Sequence, residues 1–156
     1  MIVFIDIDGV IADCEHRLHY LEDKDYEKFY SEEEILKDQP IRAGIELFEL
    51  LADSWQVELY VLTGRPYRTE KATRKWLNEH LPDWKDIPML MRKDHDYRPS
   101  DVVKAEIIKK SLREEGSIIK DSDQEILLID DDPKNVKGVE QACKKVKGIV
   151  FGSSRF

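Results

Sequence analysis

Short apolar runs alternate with stretches whose apolar residues recur every three or four positions. Residues 2–5 are continuously apolar, as expected of a strand buried on both faces of a parallel sheet. Further strands are predicted at 57–62, 87–91, 125–129 and 148–151, where apolar and β-favouring residues cluster. Between them, Ile45, Phe48, Leu51 and Ala52 share one helical face, as do Ala72, Trp76 and Leu77. Val103, Ile107 and Leu112 predict a helix capped by Ser100, with Lys104 in its first turn. Val136, Val139, Cys143 and Val146 predict the last helix, and Pro66 suits the first turn of the second. Strands alternating with helices of this length imply an α/β, Rossmann-like three-layer fold: a central parallel sheet with helices on both faces.

One stretch departs from this rhythm. Residues 14–42 are polar, rich in acidic and aromatic side chains, and contain only short amphipathic pieces around Tyr20, Leu21, Phe29, Tyr30, Ile35 and Leu36. They read as a small cap insertion beside a site, too short to fold alone. The 156 residues are therefore expected to form one domain, 1–156, carrying that cap.

Composition narrows the class only slightly. The net charge of −8 argues against wholesale adsorption to nucleic acid or an acidic membrane, while leaving room for a local basic patch. No apolar run approaches the roughly 20 residues that cross a bilayer, and Asp6 interrupts the first run before a signal-peptide core could form. The chain is expected to be cytoplasmic, with no membrane partner. Cys14 and Cys143 match no metal or redox spacing, and His16, His19, His80 and His95 have no ligand spacing. The sequence says nothing of oligomeric state.

The chemistry lies at the strand ends. Asp6 and Asp8 close the first strand two positions apart, where a carboxylate is most costly unless something compensates it. Gly9 then allows the backbone to turn. Thr63, Gly64 and Arg65 end the second strand, Asp130 and Asp131 the fourth, and Lys104 follows the third. In an open parallel sheet those ends share one edge, where ligands bind. Crowded carboxylates call for a cation, and hard oxygen ligands with few other protein donors suit Mg²⁺ meeting a substrate phosphate. The Thr63 hydroxyl and the Gly64 turn can hold phosphate oxygens while Lys104 and Arg65 neutralise charge. Asp6 is assigned as the nucleophile and Asp8 as general acid and then base.

Asp6-Ile7-Asp8-Gly9-Val10, the strand ending at Thr63, Lys104, and Leu128-Ile129-Asp130-Asp131 resemble the four ordered motifs of the haloacid dehalogenase (HAD) superfamily of phosphotransferases. The resemblance implies an aspartyl phosphate on Asp6. It also implies Mg²⁺ held by Asp6, Asp130 and the main-chain carbonyl of Asp8, with Asp131 as a neighbouring metal residue. A closer resemblance is to the 3'-phosphatase domains of phage polynucleotide kinase-phosphatases. It rests on Arg17, Thr63-Gly64-Arg65, Thr73-Arg74-Lys75-Trp76, Leu90-Met91 and residues 101–107, and implies that Arg17 and Arg65 are phosphate-site residues. No Gly-x-x-x-x-Gly-Lys-Ser/Thr loop occurs, so no kinase half is expected.

The expected function is a Mg²⁺-dependent phosphomonoesterase that removes 3'-phosphate from polynucleotide ends. The substrate would be a phosphorylated nucleic-acid end or a nucleotide. Phosphatase action on free nucleotides or other small phosphate esters, and a non-catalytic nucleic-acid-binding module, are the alternatives. The cations Arg65, Arg68, Lys71, Arg74 and Lys75 read mainly as a solvated helix face, and Tyr20, Tyr26, Phe29 and Tyr30 as the seal of the cap.

Overall fold

The computed structural model describes residues 1–81, 84–113 and 124–152. Its elements, in chain order, begin with β1 (Ile2–Ile5), β2 (Ala12–Asp13), α1 (His19–Glu22), α2 (Tyr26–Phe29), α3 (Glu32–Ile35) and β3 (Gln39–Pro40). There follow α4 (Arg42–Ala52), β4 (Glu58–Pro66), α5 (Glu70–His80), β5 (Met89–Arg92), α6 (Ser100–Arg113), β6 (Ile126–Asp130), α7 (Pro133–Ala142) and β7 (Val146–Val150). The central sheet runs β5-β4-β1-β6-β7, and every pair in it is parallel. The chain builds outward from β1 to β5, then returns through α6 to place β6 on the other side of β1. Strand order therefore reverses at β1, and a crevice opens at the carboxyl ends of β1, β4 and β6.

The two-residue period of the strands divides the core into two layers. Val3, Ile5, Leu59, Val61 and Ile129 face Phe48 of α4 and Trp76 and Leu77 of α5. Ile2, Phe4, Tyr60, Leu62, Ile126 and Leu128 face Ala105 and Ile108 of α6 and Val139 of α7. This is the three-layer α/β arrangement expected from the alternation. Among the described residues no helix is long and apolar enough to cross a membrane.

Several local expectations shift. β4 continues past residue 62 to Pro66, its pairing with β5 broken between Thr63 and Pro66, so Gly64 and Arg65 bulge out of the ladder. Pro66 is extended, at ψ 154°, and a 3₁₀ turn at Tyr67–Thr69 precedes α5, so the proline ends a strand rather than opening a helix. In α6 the buried positions are Val103, Lys104, Ala105 and Ile108, while Ile107 and Leu112 are only partly covered. The helix is rolled so that Lys104, in its second turn, points inward. Val146 belongs to β7, where it pairs with Ile126, because α7 stops at Ala142 and Cys143, at φ −127° and ψ 87°, has left the helical conformation.

Residues 14–42 fold as a 3₁₀ turn at Glu15–Arg17 and three single-turn α-helices, closed by an antiparallel stem in which β3 pairs with the preceding β2. Asp25 caps α2 and Ser31 caps α3, each accepting a main-chain N–H. Phe29 and Ile35 are buried, and Trp76 of α5 donates to the Asp38 carbonyl at 2.8 Å. The segment is thus fastened over the crevice at the α5 side.

The turn after β1 is pressed against α4. A Cβ on Gly44 would stand 1.7 Å from the Val10 carbonyl oxygen. Gly44→Ala should therefore lower the urea midpoint at unchanged slope, costing about 1–3 kcal/mol. Leu50→Ala, at an exposed position of the same helix, should stay within about 0.5 kcal/mol.

Candidate active site

β1 delivers Asp6 to the crevice with its main-chain N–H bonded to the Ile129 carbonyl of β6. The carboxylate is then gripped on both oxygens. Oδ1 accepts from the Ile7 N–H at 2.8 Å and Oδ2 from Lys104 Nζ at 2.6 Å. Lys104 Nζ also donates to Asp130 Oδ2 at 2.6 Å, so one buried ammonium joins the ends of β1 and β6. Asp130 is held further by the Asp132 N–H and by Asn135 Nδ2, at 3.0 and 3.1 Å. Burial pushes the Asp6 carboxyl up to about 8; Lys104 opposes this, and the nearby Asp130 and Asp8 add to it. Burial works against the charge of Lys104 too, but Asp6 and Asp130 outweigh it and hold the ammonium protonated.

Asp131 completes an acidic trio. One oxygen each from Asp6, Asp130 and Asp131 lie within 4.8 Å of one another. Gly9 makes room for the third: it adopts φ +79°, and a Cβ there would lie 2.0 Å from an Asp131 oxygen. Three hard oxygen donors at this spacing, with one ammonium among them, are a set that could hold a divalent cation.

Asp8 sits in a second cluster. Its Oδ1 accepts from Arg65 Nη2 at 2.6 Å and Arg17 Nη2 at 2.9 Å, and its Oδ2 from Arg65 Nε at 3.0 Å. Beneath it lies Asp38, which receives Arg17 Nε and Nη2, both at 2.8 Å, and Arg65 Nη2 at 2.7 Å. The two carboxylates and two guanidinia form a closed square of charge-assisted bonds. Phe29 supports it, with its carbonyl 3.1 Å from Arg17 Nη1 and its ring 4.3 Å from the Arg17 guanidinium. Thr73 accepts from Arg65 Nη1 at 3.3 Å. Burial opposes ionisation of Asp8, yet Arg65 and Arg17 hold its carboxyl well below the usual carboxylate range. An acid with a depressed pKa stabilises the fold above its unfolded value of about 4 and loses that contribution as pH falls towards the folded value.

A cavity of about 400 Å³ opens over both clusters. Asp6, Asp8, Gly64, Lys104 and Asp131 line it, as five of the expected residues. Asp130 lies just behind Lys104. Thr63, Arg65 and Arg17 are also within the cluster but do not line the cavity, because Asp8 stands between it and both guanidinia. The Thr63 hydroxyl is fully buried and accepts the Arg65 N–H at 3.2 Å. Direct contact with a phosphate at the lining is available instead to Gly64, Ser100, Arg92 and Asn135. Asp38 and Asn135 carried no signal in the sequence. Asp38 lies in an acidic insertion where one carboxylate resembles the next, and Asn135 lies on a helix start where polar residues are ordinary. Arg92 is one cation among the several charges at residues 92–98, and nothing in its spacing marks it out.

The family described as polynucleotide kinase PNKP phosphatase domain matches residues 1–137. Among solved structures, a chain of a Pnkp1/Rnl/Hen1 complex is similar at TM-score 0.69 and 17% identity, over 94% of this chain and 44% of that one. A chain of the Pnkp1/Rnl/Hen1 RNA repair complex matches at TM-score 0.68 and 18% identity, over 94% and 40%. The HAD domain of the effector protein Lem4 from Legionella pneumophila, an inactive mutant, matches at TM-score 0.56 and 15% identity, over 99% and 87%. At these identities the likeness to solved structures is one of fold, and the chain spans less than half the length of the first two. No curated protein matches it.

The charge square has a measurable consequence. Asp38→Ala leaves two buried guanidinia sharing the single carboxylate of Asp8, and should cost about 3–5 kcal/mol of unfolding free energy. Arg42→Ala, which removes an exposed pair with Glu46 one turn along α4, should cost less than about 1 kcal/mol. Denaturant unfolding at neutral pH distinguishes the two.

Proposed function

The chain belongs to the PNKP phosphatase domain family of HAD-type phosphatases, and from that premise we propose that it is a Mg²⁺-dependent phosphomonoesterase removing 3'-phosphate from polynucleotide ends through an aspartyl phosphate on Asp6. The observation that carries this reading is the Lys104 bridge between Asp6 and Asp130 at the floor of an open cavity, with Asp131 in reach of both. A nucleophile, a fixed cation and a set of oxygen donors stand at one sheet edge. The relation of two solved neighbours to a Pnkp1/Rnl/Hen1 assembly, one of them described as RNA repair, supports a nucleic-acid substrate over a small metabolite.

Asp6 attacks phosphorus with one carboxylate oxygen, forming an aspartyl phosphate as the bond to the ester oxygen breaks. The Ile7 N–H and Lys104 hold the carboxylate in a single orientation for that attack. Asp6, Asp130, Asp131 and the Asp8 carbonyl would hold Mg²⁺, which supplies positive charge against the phosphoryl oxygens and against the proton of Asp6. Lys104 balances the charge left between Asp6 and Asp130. The Gly64 bulge, Ser100 and Arg92 also line the cavity and would meet the phosphoryl oxygens.

Asp8 moves the proton. Arg65 and Arg17 keep it ionised, which is the form that takes a proton from the water attacking the aspartyl phosphate. An arriving phosphate dianion raises its pKa by like-charge repulsion, which favours the protonated form needed by the leaving 3' oxygen. The role of Arg17 and Arg65 in this scheme is exerted on the phosphate through Asp8, whose position and pKa they set.

Asp6→Asn keeps the shape of the site and should lower phosphate release from a 3'-phosphorylated oligonucleotide on the order of 10³-fold or more. Turnover within a few-fold of the wild type would remove Asp6 from the nucleophile role. Comparing that oligonucleotide with nucleoside monophosphates and sugar phosphates tests the substrate. Faster hydrolysis of the small esters would favour a nucleotide or small-ester phosphatase.

The metal proposal has its own readout. Burial raises the Asp6 carboxyl, so Mg²⁺ binding competes with a proton there. Its apparent affinity, followed by the rise in thermal midpoint, should increase as pH rises. Asp131→Asn should abolish the rise. Affinity that is flat or falls with pH would contradict the assignment.

A further inference from the structure

A second cavity, of about 220 Å³, lies beside the first and shares Tyr30 and Arg92 with it. Its walls carry Tyr26 and Tyr30 from the cap, Tyr97 and His95 from the loop between β5 and α6, the cations Arg68, Lys93 and Arg98, and also Pro66 and the carboxylate of Asp96. Tyr97 is 74% exposed and Tyr26 44% exposed. Packing does not account for aromatic side chains held that far into water.

The platform is also rigidly built. Arg92 Nη1 donates to the carbonyls of Asp96 and Arg98 at 2.9 and 2.6 Å, and its Nε donates to the Gly64 carbonyl at 2.8 Å, which ties the loop to the active-site bulge. The Arg68 N–H donates to Asp94 at 2.8 Å, tying the same loop to the turn after β4. His95 is held at φ 62°, a conformation that side-chain-bearing residues rarely adopt, and its ring stands edge-on to that of Tyr97. Arg98 is set in place by Asp96, which it grips through two guanidinium nitrogens at 2.9 and 2.7 Å, whereas its pair with Glu106 and the 3.4 Å contact of Arg68 with Glu27 are exposed and of the kind that exchange partners at little cost.

We propose that this groove binds the nucleotides next to the phosphorylated end of a polynucleotide strand. Their bases stack on Tyr97, His95 and Tyr26, and their backbone phosphates meet Arg68, Lys93 and Arg98. Every base offers a ring face, so the contact tolerates any sequence, and a strand reaches it directly from the catalytic cavity through the wall shared by Tyr30 and Arg92. This site rests on the polynucleotide reading of the substrate and deepens it. It also explains how a chain of net charge −8 would hold a polyanion, through a local aromatic and basic track rather than its overall field.

The test is a length series. KM and kcat are measured for 3'-phosphorylated mono-, di-, tri- and hexanucleotides with the wild type, Tyr97→Ala and Arg98→Ala. From mono- to trinucleotide the wild-type KM should fall on the order of tenfold, since one base stacked on an aromatic ring gives roughly 5- to 100-fold. Tyr97→Ala should cancel most of that fall, leaving kcat and the mononucleotide KM within about twofold. Arg98→Ala should reduce the salt dependence of hexanucleotide KM by about one unit of slope. A wild-type KM equal at every length overturns the groove while leaving the phosphatase reading intact. So does a Tyr97→Ala loss that is equal for mono- and hexanucleotide. Hydrolysis of other phosphate esters with no turnover of any 3'-phosphorylated nucleotide overturns the substrate reading, and this inference with it.

Discussion

Buried acids at the carboxyl edge of the sheet are the constraint on which the rest depends. Asp6, Asp38 and Asp130 are nearly or fully buried, and Asp8 is only partly open. Isolated in such surroundings each would shed its charge. The chain answers with two separate devices. Lys104 reaches inward from α6 to serve Asp6 and Asp130 together, and Arg17 and Arg65 close a square with Asp8 and Asp38. The division matters for chemistry: the Lys104 side leaves Asp6 with a pKa that a cation can move, whereas the arginine side keeps Asp8 ionised and still.

These two devices also explain the shape of the molecule around the site. α6 is rolled so that Lys104 shares the buried face with Val103, Ala105 and Ile108, leaving Ile107 and Leu112 only partly covered. β4 bulges at Gly64 and Arg65, turning a guanidinium under Asp8 instead of continuing the ladder. The cap has two jobs within few residues. It contributes Arg17, Asp38 and Phe29 to the square, and its Tyr26 and Tyr30 face the neighbouring groove.

The sheet and its helices were legible because period-two and period-3.6 patterns survive in the sequence, and the edge carrying Asp6, Asp8, Thr63 and Asp130 follows from parallel topology. Lys104 was legible only because motif order singled it out, since periodicity alone placed Ile107 and Leu112 on the inner face. Asp38, Asn135 and the shielding of Arg17 and Arg65 by Asp8 were not legible. They depend on how short cap helices fold over the crevice, and turns of four residues leave almost no periodic trace. The end of α7 was misjudged for a related reason, because an apolar Val146 fits helix and strand spacing equally well.

The central claim is that a carboxylate of this chain, not water, first displaces the ester oxygen from phosphorus. The stereochemical course at phosphorus tests it most directly, using a 3'-phosphorothioate substrate made chiral with two oxygen isotopes and hydrolysed in water carrying the third, so that the released thiophosphate is itself chiral. Two successive in-line displacements, one onto Asp6 and one by water, predict net retention of configuration. Net inversion would mean a single displacement by water, and would contradict the account.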